Sequence, residues 1–166
     1  MTPNSVNLHA SAIAIAGLGI LIRGAARAGK SALTLSALRR AEAAGLHAGL
    51  VADDRVIAAL DDGAVRLSAP PSIAGLIEIS GAGIWREPAT IETAELRLIV
   101  DLSPPDAVER LPEKSSETLL GVSIRRIALP QREAAFGADV LVSLCRNGRQ
   151  QLDRGWSEGA CAMQQE

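Results

Sequence analysis

The stretch Gly24-Ala25-Ala26-Arg27-Ala28-Gly29-Lys30-Ser31 satisfies the pattern G-x-x-x-x-G-K-[S/T]. It follows an apolar segment and precedes a segment with helical periodicity, so it predicts a glycine loop between a strand and a helix. In such a loop, backbone N–H groups bind phosphate oxygens, Lys30 reaches the outer phosphates and the Ser31 hydroxyl ligates magnesium. Residues 24–31 are therefore the expected nucleotide-binding residues, with ATP and Mg²⁺ as ligands. The alternative is a glycine-rich connector with a solvated Lys30.

The segments on both sides of this loop predict its structural setting. Small apolar residues between Val6 and Arg23, broken at Gly17 and Gly19, indicate two strands joined by a tight turn. Apolar residues recur at helical spacing in 30–44, and a glycine follows that segment as a C-terminal cap. Strand, glycine loop and helix together predict an α/β fold.

The remaining chain alternates apolar runs with breaks. The predicted strands are 48–52, 56–60, 65–67, 76–79, 96–102 and 124–129, and a final helix is predicted over 133–145. Glycines at 81 and 83 indicate a functional loop, and the polar residues 106–118 indicate an exposed loop. We expect one domain over 8–147 and a polar C-terminal tail over 148–166.

The composition of the chain argues against several classes of protein. The 166 residues fit one domain, and because aromatic residues make up only 2%, the core must consist of aliphatic side chains. A net charge of -2 without a basic segment argues against nucleic acid as a partner. No apolar run approaches the ~20 residues of a membrane span, and residues 1–7 lack the basic region followed by a hydrophobic one that is typical of a leader. We expect a cytoplasmic protein in which Cys145 and Cys161 are reduced thiols.

Asp53 and Asp54 end a predicted strand, where P-loop proteins place an acidic residue near the metal or the attacking hydroxyl. Side chains of adjacent strand residues point to opposite faces, so only one of these carboxylates faces the phosphates fully. The pair is also typical of a turn at the end of a strand.

Three further polar residues have two interpretations each. Glu78 interrupts an apolar run, so its carboxylate either meets a cation or faces water on an edge strand. His9 lies near the start of a predicted strand, where a histidine taken alone is usually structural or exposed. Arg110 lies in a polar loop, where an arginine taken alone is usually a solvated charge.

Together these elements resemble the catalytic C-terminal domain of HPr kinase/phosphorylase, in the short form of alphaproteobacteria. The resemblance covers about 8–147. It rests on His9 and the glycines before the P-loop, on Val51-Ala52-Asp53-Asp54, and on residues 76–84, which are similar to the family signature L-E-[IV]-R-G-x-G-I. It implies a P-loop kinase fold of the phosphoenolpyruvate carboxykinase-like type, with a mixed sheet and flanking helices.

The resemblance also implies roles for individual residues. Asp54 is expected to be the base that deprotonates the acceptor serine, with His9 at the same site. Glu78 is expected to ligate magnesium beside Ser31 and Asp53. Glu109-Arg110-Leu111 matches the family element that places an arginine, here Arg110, near the transferring phosphoryl group.

One further segment has a counterpart in the family. Leu129-Pro130-Gln131-Arg132 is similar to the loop needed for phosphorolysis, which places Pro130 and Arg132 in that loop, although the Pro-Gly-Arg-Asn that follows in the family is absent.

The implied function is phosphorylation of a serine on the phosphocarrier protein HPr, with phosphorolysis as the reverse reaction, in regulation of the phosphotransferase system. The short forms are associated with the nitrogen-type system, and the family with homohexamers. Two alternatives remain: a non-catalytic nucleotide-binding regulator, and a related kinase with another acceptor. Ser80 replaces the signature's arginine, which favours the first of these.

Overall fold

The computed structural model describes residues 4–148, which form a mixed β-sheet with two α-helices. The strands are β1 (Ser5–His9), β2 (Ser11–Ile15), β3 (Leu18–Gly24), β4 (Ala48–Ala52), β5 (Arg55–Asp61), β6 (Ala64–Ser68), β7 (Leu76–Ile79), β8 (Gly83–Arg86), β9 (Thr93–Ser103), β10 (Ser115–Leu119) and β11 (Val122–Pro130). The helices are α1 (Lys30–Ala43) and α2 (Ala134–Arg146), and single turns of 3₁₀ helix occur at Pro71–Ile73 and Pro105–Ala107.

The large sheet is organised around β9. Its main path has the order β1-β5-β6-β9-β3-β2-β4, and β11 joins β9 and pairs with β10. The first part of β9 pairs antiparallel with β6, whereas its last part lies parallel to β3 and β11. The carboxyl ends of three parallel strands therefore meet at one edge of the sheet, where the P-loop begins. Strands β7 and β8 form a separate antiparallel hairpin.

Two apolar cores lie on the two faces of the sheet. One is covered by α1 and α2 and contains aliphatic side chains such as Ile20, Ile22 and Leu33. The other contains alanines of β2 together with residues of β4, β5 and β6, because the sheet curls over itself on that face. The small side chains allow this close approach, in agreement with the aliphatic core expected from the composition.

The two helices approach each other closely at Gly137 of α2. A β-carbon at this position would lie 2.8 Å from a methyl carbon of Leu33 on α1. A side chain at this position would therefore force the buried Leu33 side chain to shift. The contact places the first turn of α2 beside the first turn of α1, next to the P-loop.

The predicted strand, loop and helix around the P-loop are confirmed, and so are the other predicted strands and the final helix. The predicted opening hairpin is wrong in its strand count, because 5–24 form three strands instead of two. The chain breaks at Ala10, whose N–H donates to the Asp54 carbonyl at 3.3 Å. This separates β1, which pairs with the distant β5, from the β2–β3 hairpin. The uniform run of small residues carries no signal for this break.

Two predicted loops are partly strands. Residues 115–119 of the expected exposed loop form β10, and 83–86 form β8 after the glycine turn. Both are edge strands with mostly exposed side chains, so neither has the apolar alternation that identifies a half-buried strand.

The structure describes only one of the two cysteines, Cys145. Cys145 is a free, buried thiol, as expected for a reduced cysteine, and burial raises its pKa to about 12. Cys161, Trp156 and the predicted tail from 149 onward lie outside the described residues. Within 4–148, no helix has the length and apolar character of a membrane span.

Candidate nucleotide-binding and phosphoryl-transfer site

The P-loop connects the last residue of β3 to the first residue of α1. Gly24 pairs with Leu102 of β9, and Gly29 precedes α1 in a left-handed conformation with φ of 93°. This conformation strongly favours glycine. No side chain caps the first turn of α1, so its N–H groups and the positive end of the helix dipole face the loop. The arrangement is a site for a phosphate or another anion.

Lys30 is directed into the P-loop. Only 9% of the residue is exposed, and its Nζ donates to the carbonyls of Gly24 at 3.0 Å and Ala25 at 3.2 Å. A buried ammonium normally has an anionic partner, but both of these acceptors are neutral. Lys30 therefore places a positive charge inside the loop, as the motif predicts.

Asp53 is the best-connected carboxylate of the site. It is 5% exposed and accepts hydrogen bonds from the hydroxyls of Ser31 and Ser11 and from the Glu78 N–H. The Ser31 hydroxyl lies 3.0 Å from each carboxylate oxygen, and the Ser11 hydroxyl lies 2.6 Å from Oδ1. The P-loop serine and the acidic end of β4 thus meet, as the sequence predicts.

Ser11 is a site residue that sequence reasoning missed. It is fully buried on β2, and its hydroxyl fixes the Asp53 carboxylate. A signal was present in the sequence, because a serine inside an apolar strand needs a hydrogen-bond partner. Its partner lies 42 positions away, and only the pairing of β2 with β4 identifies it.

Asp54 and His9 form a second pair beside Asp53. Asp54 has a left-handed backbone with φ of 65°, and its Oδ1 lies 3.3 Å from His9 Nδ1. The pairing of β1 with β5 places His9 opposite Arg55, the residue after Asp54, and this register brings the two side chains together. Both are more than half exposed, at 53% and 60%. Hence Asp53 is buried and Asp54 is available to an incoming group.

Glu78 joins the site through its backbone. Its N–H lies 3.1 Å from Asp53 Oδ2, while its side chain is exposed on β7, opposite Ile84 of β8. The resemblance assigns magnesium to the hydroxyl of Ser31 and the carboxylates of Asp53 and Glu78, and of these the structure joins Ser31 directly to Asp53. Such donors fit Mg²⁺, which binds few protein oxygens and retains several waters. Across residues 4–148, no three His, Cys, Asp or Glu side chains gather as a metal cluster.

The segment after β11 packs against the P-loop. The Arg132 N–H donates to the Ala28 carbonyl at 3.0 Å, and Arg132 Nε donates to the Arg27 carbonyl at 3.3 Å. Pro130 ends β11, and the Gln131 N–H donates to the Ser103 carbonyl. The structure thus brings Pro130 and Arg132 next to the P-loop, although Arg132 and Arg27 are 105 positions apart in sequence.

Arg110 is not brought into this cluster by a contact. It lies in an exposed loop after the 3₁₀ turn Pro105–Ala107, and it has no hydrogen bond or ion pair with the described part of the chain. Its neighbour Leu111 is 82% exposed. The loop begins at the end of β9, next to the P-loop strand, but its tip has no partner in 4–148.

A network of four charged residues supports the strands beneath the P-loop. Arg23 of β3 binds Asp101 of β9 and Glu117 of β10, and Arg126 of β11 also pairs with Asp101. Hydrogen bonds that Arg23 donates to Glu117 and Asp101 raise the pKa of Arg23 further above its usual range. Burial opposes ionisation of Asp101, but hydrogen bonds from Arg23 and Arg126 outweigh it, so its pKa is lowered. The network joins the strand ends that carry the loop.

An ion pair between half-exposed Arg39 and buried Glu87 anchors α1 to the segment after β8. The Glu87 side chain is fully buried and accepts bonds from Arg39 of α1 at 3.0 and 2.6 Å and from the Ala89 N–H at 3.2 Å. The hydrogen bond from Arg39 lowers the pKa of Glu87. Neither this pair nor the network around Arg23 was identified from sequence, because their members lie on separate elements.

Comparisons with known proteins agree with this architecture. Residues 2–164 match the family model "HPr Serine kinase C-terminal domain". The HPr kinase/phosphorylase of Bordetella petrii is 31% identical over 149 residues, which is 83% of this chain and 46% of that protein. The HPr kinase/phosphorylase of Limosilactobacillus reuteri is 30% identical over 154 residues, 86% of this chain and 46% of that protein. The chain thus spans slightly less than half the length of these relatives.

A solved structure has the same fold. The Hpr(Ser) kinase/phosphatase of Coxiella burnetii matches with a TM-score of 0.76 and 25% sequence identity, covering 97% of this chain and 99% of that one.

Proposed function

The chain belongs to the HPr serine kinase C-terminal domain family, and from this we propose that it transfers the γ-phosphoryl group of ATP to a serine of an HPr-type phosphocarrier protein. Such a reaction would regulate the phosphotransferase system. The observation that carries the proposal is the meeting of Ser31 and Asp53 at the mouth of the P-loop, with Asp54 exposed beside them.

Asp54 acts as the general base in this proposal. Its carboxylate takes the hydroxyl proton of the acceptor serine while the serine oxygen attacks the γ-phosphorus of ATP, and the bond to the β-phosphate oxygen breaks. The products are phosphoserine, ADP and the proton. His9, 3.3 Å from Asp54, orients this carboxylate.

Lys30, the P-loop amides and Arg110 stabilise the negative charge of the transferring group. Ser31, Asp53 and Glu78 would hold Mg²⁺, which would neutralise phosphate charge. In phosphorolysis, inorganic phosphate would attack the phosphorus of phosphoserine, the bond to the serine oxygen would break, and that oxygen would take a proton from Asp54 while pyrophosphate leaves. The contact of Arg132 with the P-loop backbone supports a role for 130–132 in that direction.

The direct test is incubation of the purified chain with γ-labelled ATP, Mg²⁺ and the HPr-type carrier from the same genome. We expect label on a carrier serine, and 10²–10⁴-fold less transfer by Asp54→Asn with unchanged ATP affinity. Full activity of Asp54→Asn would refute the base assignment. ATP binding without transfer to the carrier would favour the non-catalytic regulator, and ATP consumption with a different acceptor would favour the related kinase.

We also propose that the chain is a cytoplasmic homo-oligomer, with a hexamer implied by the family. Sedimentation velocity of the purified chain tests this, since a monomer at micromolar concentration would contradict it.

A further inference from the structure

Six residues other than glycine have positive φ within 4–148. Three of them, Ala16, Asp62 and Leu120, precede a glycine that also has positive φ in a two-residue hairpin turn. Such turns require left-handed residues, so the turn explains these three. The other three are Arg27, Asp54 and Arg132, and all three lie at the candidate site. Arg27 and Asp54 are also central residues of turns, closed by the Ala28 N–H on the Ala25 carbonyl and by the Arg55 N–H on the Asp53 carbonyl. Non-glycine residues with positive φ outside the hairpin turns are thus confined to the candidate site within 4–148, a distribution typical of function.

Arg27 stands out because it is the third residue of the turn formed by residues 25–28, a position that favours glycine when φ is positive. Its φ is 64°, a conformation that is unfavourable for a residue with a β-carbon. Arg132 holds the loop in this form, since its Nε and N–H donate to the carbonyls of Arg27 and Ala28. The loop therefore presents an arginine where glycine would be less strained.

The Arg27 side chain is also a cation without a protein partner. Arg27 is exposed, and its guanidinium makes no hydrogen bond or ion pair with the described chain. Arg27 and Lys30 are the two cations of the segment 24–31. Lys30 is turned inward onto the loop carbonyls, so Arg27 is the positive charge on the rim.

We propose that the Arg27 guanidinium binds the terminal phosphate of the nucleotide and thereby makes this P-loop favour a nucleoside triphosphate over a diphosphate. The inference rests on the proposed function, because it places ATP in the loop. A planar guanidinium with parallel N–H donors suits a phosphate with two free oxygens. Removing the terminal phosphate removes that partner, while Lys30 and the loop amides still bind the remaining phosphates.

The test measures the affinities of ATP and ADP, each with Mg²⁺, by calorimetry for the wild type, Arg27→Gly, Arg27→Asn and Arg27→Lys. Glycine and asparagine tolerate the left-handed conformation but lack the charge. We expect both to weaken ATP binding about tenfold and ADP binding about twofold or less. Arg27→Lys should recover part of the ATP affinity.

Thermal stability separates this role from a structural one. Arg27→Gly should not lower the melting temperature, because it relieves backbone strain. Arg146→Ala, which removes an exposed arginine at the far end of α2, controls for net charge and should change neither affinity by more than about twofold.

The inference is overturned if Arg27→Gly and Arg27→Asn keep the wild-type ratio of ATP to ADP affinity, or if Arg27→Gly lowers the melting temperature. Failure of the proposed function has a different signature. A wild-type chain that binds no ATP would refute both the proposed function and the role of Arg27. Labelled transfer to the carrier, together with an unchanged ratio of ATP to ADP affinity in the Arg27 variants, would refute only the role of Arg27.

Discussion

The P-loop cleft and the loop over residues 104–114 both carry expected site residues, but they are built differently. Around the P-loop, Lys30 and Asp53 are buried, and each makes hydrogen bonds of 2.6 to 3.2 Å. In 104–114, Arg110 is exposed and unpaired within the described chain, and Leu111 is 82% exposed. The chain thus pre-organises the groups of the P-loop cleft. We infer that Arg110 acquires its position from a bound ligand or partner.

The change with the largest expected effect is Lys30→Ala, on the pre-organised side of this comparison. It removes the buried charge inside the P-loop, so ATP binding and phosphoryl transfer should both be lost. Calorimetry with ATP and the labelled-transfer assay measure the two effects. The control is Lys114→Ala in the exposed loop, which should bind ATP as the wild type does. Equal losses in both variants would contradict the comparison.

Next in size is Arg110→Ala. If this arginine acts on the transferring group alone, kcat should fall roughly 10²–10³-fold while ATP affinity and melting temperature stay unchanged. Arg110→Lys should restore only part of the rate, because it retains the charge without the planar fork. A parallel loss of ATP affinity would show that Arg110 belongs to the nucleotide-binding groups. The expected difference between the P-loop cleft and the loop over 104–114 would then disappear.

A smaller effect is expected from Ser11→Ala. The Asp53 carboxylate would lose a buried donor at 2.6 Å, so we expect destabilisation of about 1–3 kcal/mol and a higher Mg²⁺ concentration for half-maximal transfer.

Thr34→Val is the matched control for Ser11→Ala. The Thr34 hydroxyl is buried on α1 and has no hydrogen-bond partner among residues 4–148, so its removal should be neutral or stabilising. Chemical denaturation and Mg²⁺ titration of both variants measure the difference. If Ser11→Ala loses stability with an unchanged Mg²⁺ requirement, Ser11 has a structural role only.

The smallest effect concerns acid stability. The pKa of Glu87 is lowered from its ordinary value of 4.5 by the hydrogen bond from Arg39. Because the folded-state pKa lies below the unfolded value, ionised Glu87 stabilises the folded protein. This contribution to stability is fully present above pH 4.5 and is lost as the pH falls through the folded pKa.

Melting temperatures measured from pH 6 to pH 3 test this dependence. Glu87→Gln should reduce the fall in melting temperature between pH 6 and pH 3 by about 2–4 °C. Glu109→Gln in the exposed loop should show the same fall as the wild type. A wild-type slope in Glu87→Gln would show that Glu87 titrates alike in the folded and unfolded states.

Sequence reasoning was most successful where the chemistry is local. The P-loop, the helix after it and the acidic end of β4 lie in contiguous segments whose residue types identify them. It failed at Ala10, where β1 separates from β2, and at the edge strands β8 and β10, which lack apolar alternation. The contacts of Ser11 and Glu87 were missed because a hydrogen-bond partner on another element leaves no trace in the local pattern.

The sequence by itself determined that this chain contains a phosphate-binding loop in an α/β domain, because glycine, lysine and serine at fixed spacing suffice for that conclusion. Only the tertiary structure decided which groups stand around the loop. The register of β1 on β5 brings His9 to Asp54, and the end of β11 brings Arg132 to the P-loop carbonyls. Such contacts depend on strand order and register, which arise from packing the whole chain into two cores.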